Sequence, residues 1–472
     1  MEKLKIFLSN AWWLVKKKKK IAIAILIVII LIVGGLATLK SSNKVNLGIK
    51  SLSILNKVSQ LLPITSDEKK ELEVVGKLTE ALSAKDDKER TFMLFLQNNM
   101  ELRPGGGFLG QYAIVKVKNG EVTSNFVEDA NLLDQRIDAK VSPPYPFKRM
   151  LQVKKWKFRD SNFSPNFPTN IEKAQYFYKL SGRSGSFDGF IAVNTQVFND
   201  ILSLTGPISV PDYPGEYTST DGALKLEEFV EKQYIMDPEL DTQNRKLILK
   251  KMAPIIIDKL FTLGNITKLA EMGHNELKNK NIMLNFTDPE LQGLVESVHW
   301  DGKVSSDWSG DFLMLVDANM GSMKSDYYIK RSFEYYVDLT TEKPTATLNI
   351  LYKHTATGGD WRTSDYHSFL RIYTPIGSNF IERQMLGYPN ITEEFNKTVF
   401  GVLAHTLING ETKGIFKYEL PETLDRQNYK LLIQKQSGVG DIPVKITVKT
   451  NDGETTQEQI LKSDLKFELQ KK

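Results

Sequence analysis

One segment limits the possible architectures more than any other. Residues 21–39, IAIAILIVIILIVGGLATL, run for 19 positions without a charge. At a helical rise of about 1.5 Å per residue, such a run just crosses a hydrocarbon core of about 30 Å. Five consecutive lysines, Lys16 to Lys20, precede it. The positive-inside rule keeps those lysines in the cytoplasm and sends the C-terminal bulk outside. Trp12 and Trp13 lie where indoles favour the headgroup region. A cleaved signal has a shorter apolar core and a small-residue cleavage site, and Leu36-Ala37-Thr38-Leu39 makes a poor one. The expectation is a single-pass protein of the cell membrane with residues 1–20 as a cytoplasmic basic stub and 21–39 as its transmembrane helix.

Charge follows the same division. The 472 residues carry a formal charge of +5, but residues 1–40 alone contain eight lysines against one glutamate. The remainder is close to neutral and gives no electrostatic reason to bind nucleic acid. With no cysteine in the chain, disulfide scaffolds, thiol catalysis, cysteine-ligated metals and an acylated lipoprotein anchor are excluded.

Past the anchor, apolar residues at helical spacing predict a helical stalk over 40–90, including a helix that begins near Ser66 and buries Leu72, Val75, Leu78 and Leu82. From there short apolar runs such as FMLFL (92–96), YAIVKV (112–117) and GFIAV (189–193) read as buried strands. They alternate with helical spacing over 169–180, 194–204 and 241–260, with a kink or restart at Pro254. This predicts an α/β domain over 91–305. Beyond it, runs including DFLMLVD (311–317), SFEYYVDL (332–339), ATLNILYK (346–353) and SFLRIYTP (368–375) predict a β-sandwich over 306–472, with a hairpin at Asn451-Asp452-Gly453. The fold class is α+β.

The segment QNNMELRPGGGFLG (97–110) stands out chemically. Gly105, Gly106 and Gly107 allow close backbone approach, and Arg103 precedes them, so the turn has the residues of a phosphate cradle. It lacks the lysine and hydroxyl residue of a P-loop, and a tight structural connection accounts for the same residues. In KFRDSNFSPNFP (157–168), Arg159 and Asp160 either order a surface loop or offer an anion ligand and a metal carboxylate, Mg2+ being the natural ion. Asp241 and Arg245 are one helical turn apart. The five histidines are scattered, without a zinc-hydrolase spacing.

Together, QNNMELRPGGGFLG, FRDSNFSPNFP (158–168), FDGFIAVNTQVFNDILSLTGPISV (187–210), DFLMLVDANMGSMKSDYYIKR (311–331) and YKLLIQKQSG (429–438) resemble domain-of-unknown-function family 4012, a group of bacterial membrane-anchored proteins. The order of Arg103, Arg159-Asp160, the 187–210 string and Asp241/Arg245 is also similar to that of the LytR-CpsA-Psr phosphotransferases. Those enzymes move a glycopolymer from a polyprenyl-pyrophosphate lipid onto peptidoglycan. This second resemblance implies a phosphotransferase-like site in which Arg103, Arg159 and Arg245 grip phosphate beside the glycine turn, with Asp160 as metal or base residue. The chain departs from that pattern where Arg103-Pro104-Gly105 replaces arginine-x-aspartate and where Ile248 or Leu249 replaces a second closing arginine. The implied partners are the membrane and a polyprenyl-phosphate glycolipid or cell-wall glycan. The competing reading is a non-enzymatic envelope scaffold or adhesion protein.

Overall fold

A computed structural model describes residues 66–229, 247–260, 262 and 265–469. The basic stub, the apolar segment 21–39 and the positions of Asp241 and Arg245 lie outside the described residues. Among the described residues no helix is long and apolar enough to cross a membrane. The protein is a mixed α/β chain whose packing divides it into two units, each assembled from separated segments.

The first unit comprises residues up to 96, 111–129 and 185–301. Its sheet is built from β1 (Glu89–Asn98), β2 (Phe108–Lys118), β3 (Glu121–Asp129), β4 (Gly189–Asn194) and β7 (Ile282–Phe286), in the order β3-β2-β1-β4-β7. The pairs β2/β3 and β4/β7 are antiparallel. A two-stranded ribbon of β5 (Ile208–Ser209) and β6 (Glu216–Tyr217) lies apart from it. Every residue of β4 is buried, as its continuous apolar run GFIAVN requires of a strand covered on both faces. The helix Thr195–Thr205 starts where the Asn194 side chain accepts from the Gln196 backbone N–H. The helix Leu247–Leu260 continues through Pro254 without a restart.

The expected stalk ends differently from its prediction. The helix Ser66–Ser83 buries Leu72, Val75, Leu78 and Leu82 as the spacing required. Val75, Leu78 and Leu82 belong to the same core cluster as Ile191 of β4 and Leu284 of β7, so this half of the segment is a core helix.

The second unit comprises 97–110, 130–184 and 302–472. The linear boundary expected at 305/306 is therefore only part of the division, because two segments of the expected α/β region belong to this unit. Its strands are β8 (Asp311–Asn319), β9 (Ile329–Asp338), β10 (Thr345–His354), β11 (Tyr366–Pro375), β12 (Asn379–Gln384), β13 (Asn390–Glu394), β14 (Lys397–Thr406), β15 (Glu411–Glu419), β16 (Lys430–Ile433), β17 (Ile442–Thr450), β18 (Gly453–Leu461) and β19 (Leu465–Glu468). They form two six-stranded sheets, β12-β15-β10-β9-β17-β18 and β13-β14-β11-β8-β16-β19. Phe333, Leu348, Phe416 and Ile446 from the first sheet share one core with Leu313, Leu370, Phe400 and Leu431 from the second. This is the sandwich that the apolar runs predicted. The hairpin at Asn451-Asp452 closes on the Thr450/Gly453 pair.

The two sheets differ on their outer faces. Strands β9, β10 and β17 alternate buried and open positions, whereas β8, β11 and β14 are buried almost throughout. Near-continuous burial means that the second sheet is covered on both sides. Phe147, on the short helix Tyr145–Met150, and Phe163 supply part of that cover by packing with Ala318, Met320 and Phe369.

Candidate functional site

The loop between β1 and β2 places Arg103 in the interior of the second unit, where it is 2% exposed. Its guanidinium is enclosed by protein acceptors. Nη2 donates to Glu101 Oε1 at 2.8 Å, Nε to Asp160 Oδ1 at 3.4 Å, and Nη1 to the carbonyls of Asn319 at 3.1 Å and Leu102 at 3.4 Å. The rings of Phe108 and Phe147 lie 5.4 and 5.7 Å from its central carbon. Burial pulls the Arg103 pKa down, but the Glu101 and Asp160 carboxylates outweigh it and leave the group raised. A phosphate at this point would have to displace carboxylates that already satisfy a buried charge.

The glycine turn is filled in the same way. Gly105, Gly106 and Gly107 are all buried. Gly105 N donates to Asn162 O at 3.0 Å, and Asn162 Nδ2 donates to Gly107 O at 2.6 Å. Gly106 has φ +118°, and a Cβ there would stand 2.5 Å from Ser437 Oγ. A Cβ on Gly438, at φ +80°, would fall on the Gly106 carbonyl. Both positions thus need glycine for conformation and for space, and protein occupies that space. Asn99 Nδ2 donates to Gly438 O at 2.9 Å and fastens the two loops together.

Arg159 and Asp160 share a single 3-10 turn, Phe158–Asp160, yet serve different partners. Asp160 belongs to Arg103. Arg159 Nη1 donates to Asn131 Oδ1, and its Nε lies 3.0 Å from Asp134 Oδ2 as a charge contact without hydrogen-bond alignment. Burial pushes the Asp134 carboxyl up to about 6, with the Arg159 charge pulling the other way. Arg159→Ala is therefore expected to raise the Asp134 titration further and to cost the fold about 1 kcal/mol. Carboxyl NMR titration and chemical denaturation would check this, and an unmoved Asp134 would refute the coupling. The structure thus joins Arg103 to Asp160 and attaches Arg159 to another carboxylate, while Arg245 lies outside the described residues. No group of three or more His, Asp or Glu side chains among the described residues is placed to hold a metal ion.

Several polar residues around Arg103 had not been assigned roles from sequence. Asp326 Oδ2 accepts from Leu102 N at 3.0 Å and from Asn319 Nδ2 at 2.7 Å. Arg331 bridges Asp326 and Asp317, with Nε 2.8 Å from Asp317 Oδ2. Asp317 Oδ1 accepts from Tyr352 and Ser368. Gln436 accepts from Asp317 N at 2.8 Å and donates to Arg103 O at 3.3 Å. The signal available in the sequence is charge beside apolar runs: Asp317 follows FLMLV, and Arg331 stands just before SFEYYV, as the third residue of β9. Four of the five strings that carry the family resemblance, 97–110, 158–168, 311–331 and 429–438, therefore meet in one buried polar joint.

No curated protein matches the chain. Similar solved structures include the Lin1025 protein from Listeria innocua, at 15% identity and a TM-score of 0.24, covering 46% of this chain and 79% of that one. A likeness at that level carries no argument about fold or function. Residues 87–234 match the model of a protein family of unknown function, DUF4012. Over that segment, less than half of its length, the chain is similar to the DUF4012 family.

Proposed function

We propose that the chain is a membrane-anchored, extracytoplasmic scaffold or adhesion protein of the cell envelope. In this reading the Gly-Arg segment is a structural joint. The anchor rests on residues 21–39 and the lysines before them. The observation that carries the scaffold role is the environment of Arg103: two carboxylates and two backbone carbonyls hold a 2% exposed guanidinium. Arginine is well suited to such a joint because its planar fork bonds in several directions and stays charged when buried.

A second reading, the binding of a polyprenyl-phosphate or phosphate-bearing glycan, draws on two observations. Ser161 Oγ and Asn162 Oδ1 are buried without a hydrogen-bond partner beside Asp160. Arg159 keeps a side chain 40% exposed. A phosphotransferase-like role with Mg2+ belongs to this reading. The two separate in one titration of the purified full chain with undecaprenyl phosphate, with and without Mg2+. The scaffold reading expects no saturable binding and no difference between wild type and Arg159→Ala. Saturable binding that is lost in Arg159→Ala and weakened in Asp160→Asn would overturn it.

A further inference from the structure

We infer that the outer face of the β12-β15-β10-β9-β17-β18 sheet carries a binding groove for a neutral oligosaccharide. The groove has a volume of about 370 Å³, within the range of roughly 300–1,000 Å³ usual for small-ligand sites. Strand register explains its form. Thr347, Tyr336, Thr447 and Thr456 are successive cross-strand partners on β10, β9, β17 and β18, so they make one row across four strands. In the next row Asn349, Glu334 and Lys445 stand side by side, and Glu454 rises on the other flank. Three threonines, short side chains, form a floor between longer ones. Tyr336 provides the one aromatic ring in that row.

The lining favours one class of ligand. Threonine hydroxyls and the Asn349 amide can both donate and accept, as sugar hydroxyls require. Asn349, Glu334 and Lys445 have no side-chain hydrogen bond or ion pair among the described residues, so their polar groups are open to a ligand. Tyr336 is half-buried, and its hydroxyl donates to Glu454 Oε1 at 3.1 Å, which holds the ring in place before anything binds. An aromatic ring so placed suits the C–H face of a pyranose. Two carboxylates against one ammonium disfavour phosphorylated or uronic ligands. A peptide strand finds free backbone only at the β18 edge of the floor, because β9, β10 and β17 are interior strands.

This inference goes beyond the scaffold reading and fails separately from it, since it does not involve the Arg103 joint. The test is calorimetric titration of the purified full chain with cellotetraose, chitotetraose and maltotetraose, with trigalacturonate and tetralysine as charged comparisons. At least one neutral sugar is expected to bind in the millimolar range or tighter. Tyr336→Ala should weaken it at least tenfold and Tyr336→Phe, which keeps the ring but loses the bond to Glu454, should weaken it less, while Thr447→Lys fills the floor and abolishes it. Circular dichroism verifies that each variant is folded, and Thr447→Lys leaves the tyrosine in place should Tyr336→Ala unfold. Binding of none of the three sugars, equal binding in Tyr336→Ala and Thr447→Lys, or tighter binding of either charged probe would overturn the assignment.

Discussion

Replacing Arg103 with alanine is expected to destabilise the second unit by about 3–5 kcal/mol, the range for breaking a buried ion pair from one side. The effect comes from what remains. Glu101 and Asp160, both at most 9% exposed, would lose the cation that compensates them, and the Asn319 carbonyl would lose its donor. Arg103→Lys should recover only part of the loss, because an ammonium cannot reproduce a planar fork shared among two carboxylates and two carbonyls. The triple variant Glu101→Gln, Arg103→Met, Asp160→Asn should recover more, since it removes the charges together. Chemical denaturation of the four proteins measures all three comparisons. If Arg103→Ala stayed within 1 kcal/mol of wild type, the joint would not be holding the unit together.

The second large effect concerns pH. Asp311 opens β8 and is wholly buried, with Tyr335 and Tyr429 hydroxyls donating to its Oδ2 at 2.8 and 2.6 Å. Burial pushes its carboxyl up to about 6 from the usual 3.8, and those tyrosines only partly counter the shift. A folded-state pKa above the unfolded value means that the folded state holds the proton more tightly. The resulting stability is complete below about pH 4 and is lost as pH rises through 6. The loss amounts to about 3 kcal/mol by pH 7. Asp134, also pushed up to about 6, contributes a slope of the same sign. The difference in pH slope between wild type and Asp311→Asn across pH 4–7 therefore isolates Asp311, because asparagine has nearly the same size and does not titrate. Identical pH slopes in the two proteins would show that Asp311 does not ionise on this scheme.

Much of the fold could be read locally. The apolar runs 92–96, 112–117 and 189–193 lie in β1, β2 and β4, and the helix expected over 169–180 runs Phe167–Leu180. Strands β12 and β13 went unread because they are mostly exposed edges, so their residues NFIERQ and NITEE carry no inward stripe. The segment 130–184 could not be assigned to the sandwich from sequence, because what places it there is Phe147 and Phe163 packing on β8 and β11. The glycine turn was ambiguous for a related reason. Glycines beside an arginine look the same whether they enclose a phosphate or another loop. The deciding partners of Arg103 lie 57 and 216 residues away, at Asp160 and Asn319.

The contact between Asn99 and Gly438 spans 339 positions. A chain emerging from its N-terminus exposes Arg103 and the glycine turn long before Ser437 and Gly438 exist to enclose them. The first unit has its last segment by residue 301, whereas the second cannot close until its segment from 302 onward, with Ser437 and Gly438, has been made. Such late, long-range closure makes folding slow and leaves apolar strands uncovered in the interval. Truncation after β15 should therefore yield an aggregating product, even though most of the sandwich strands would be present.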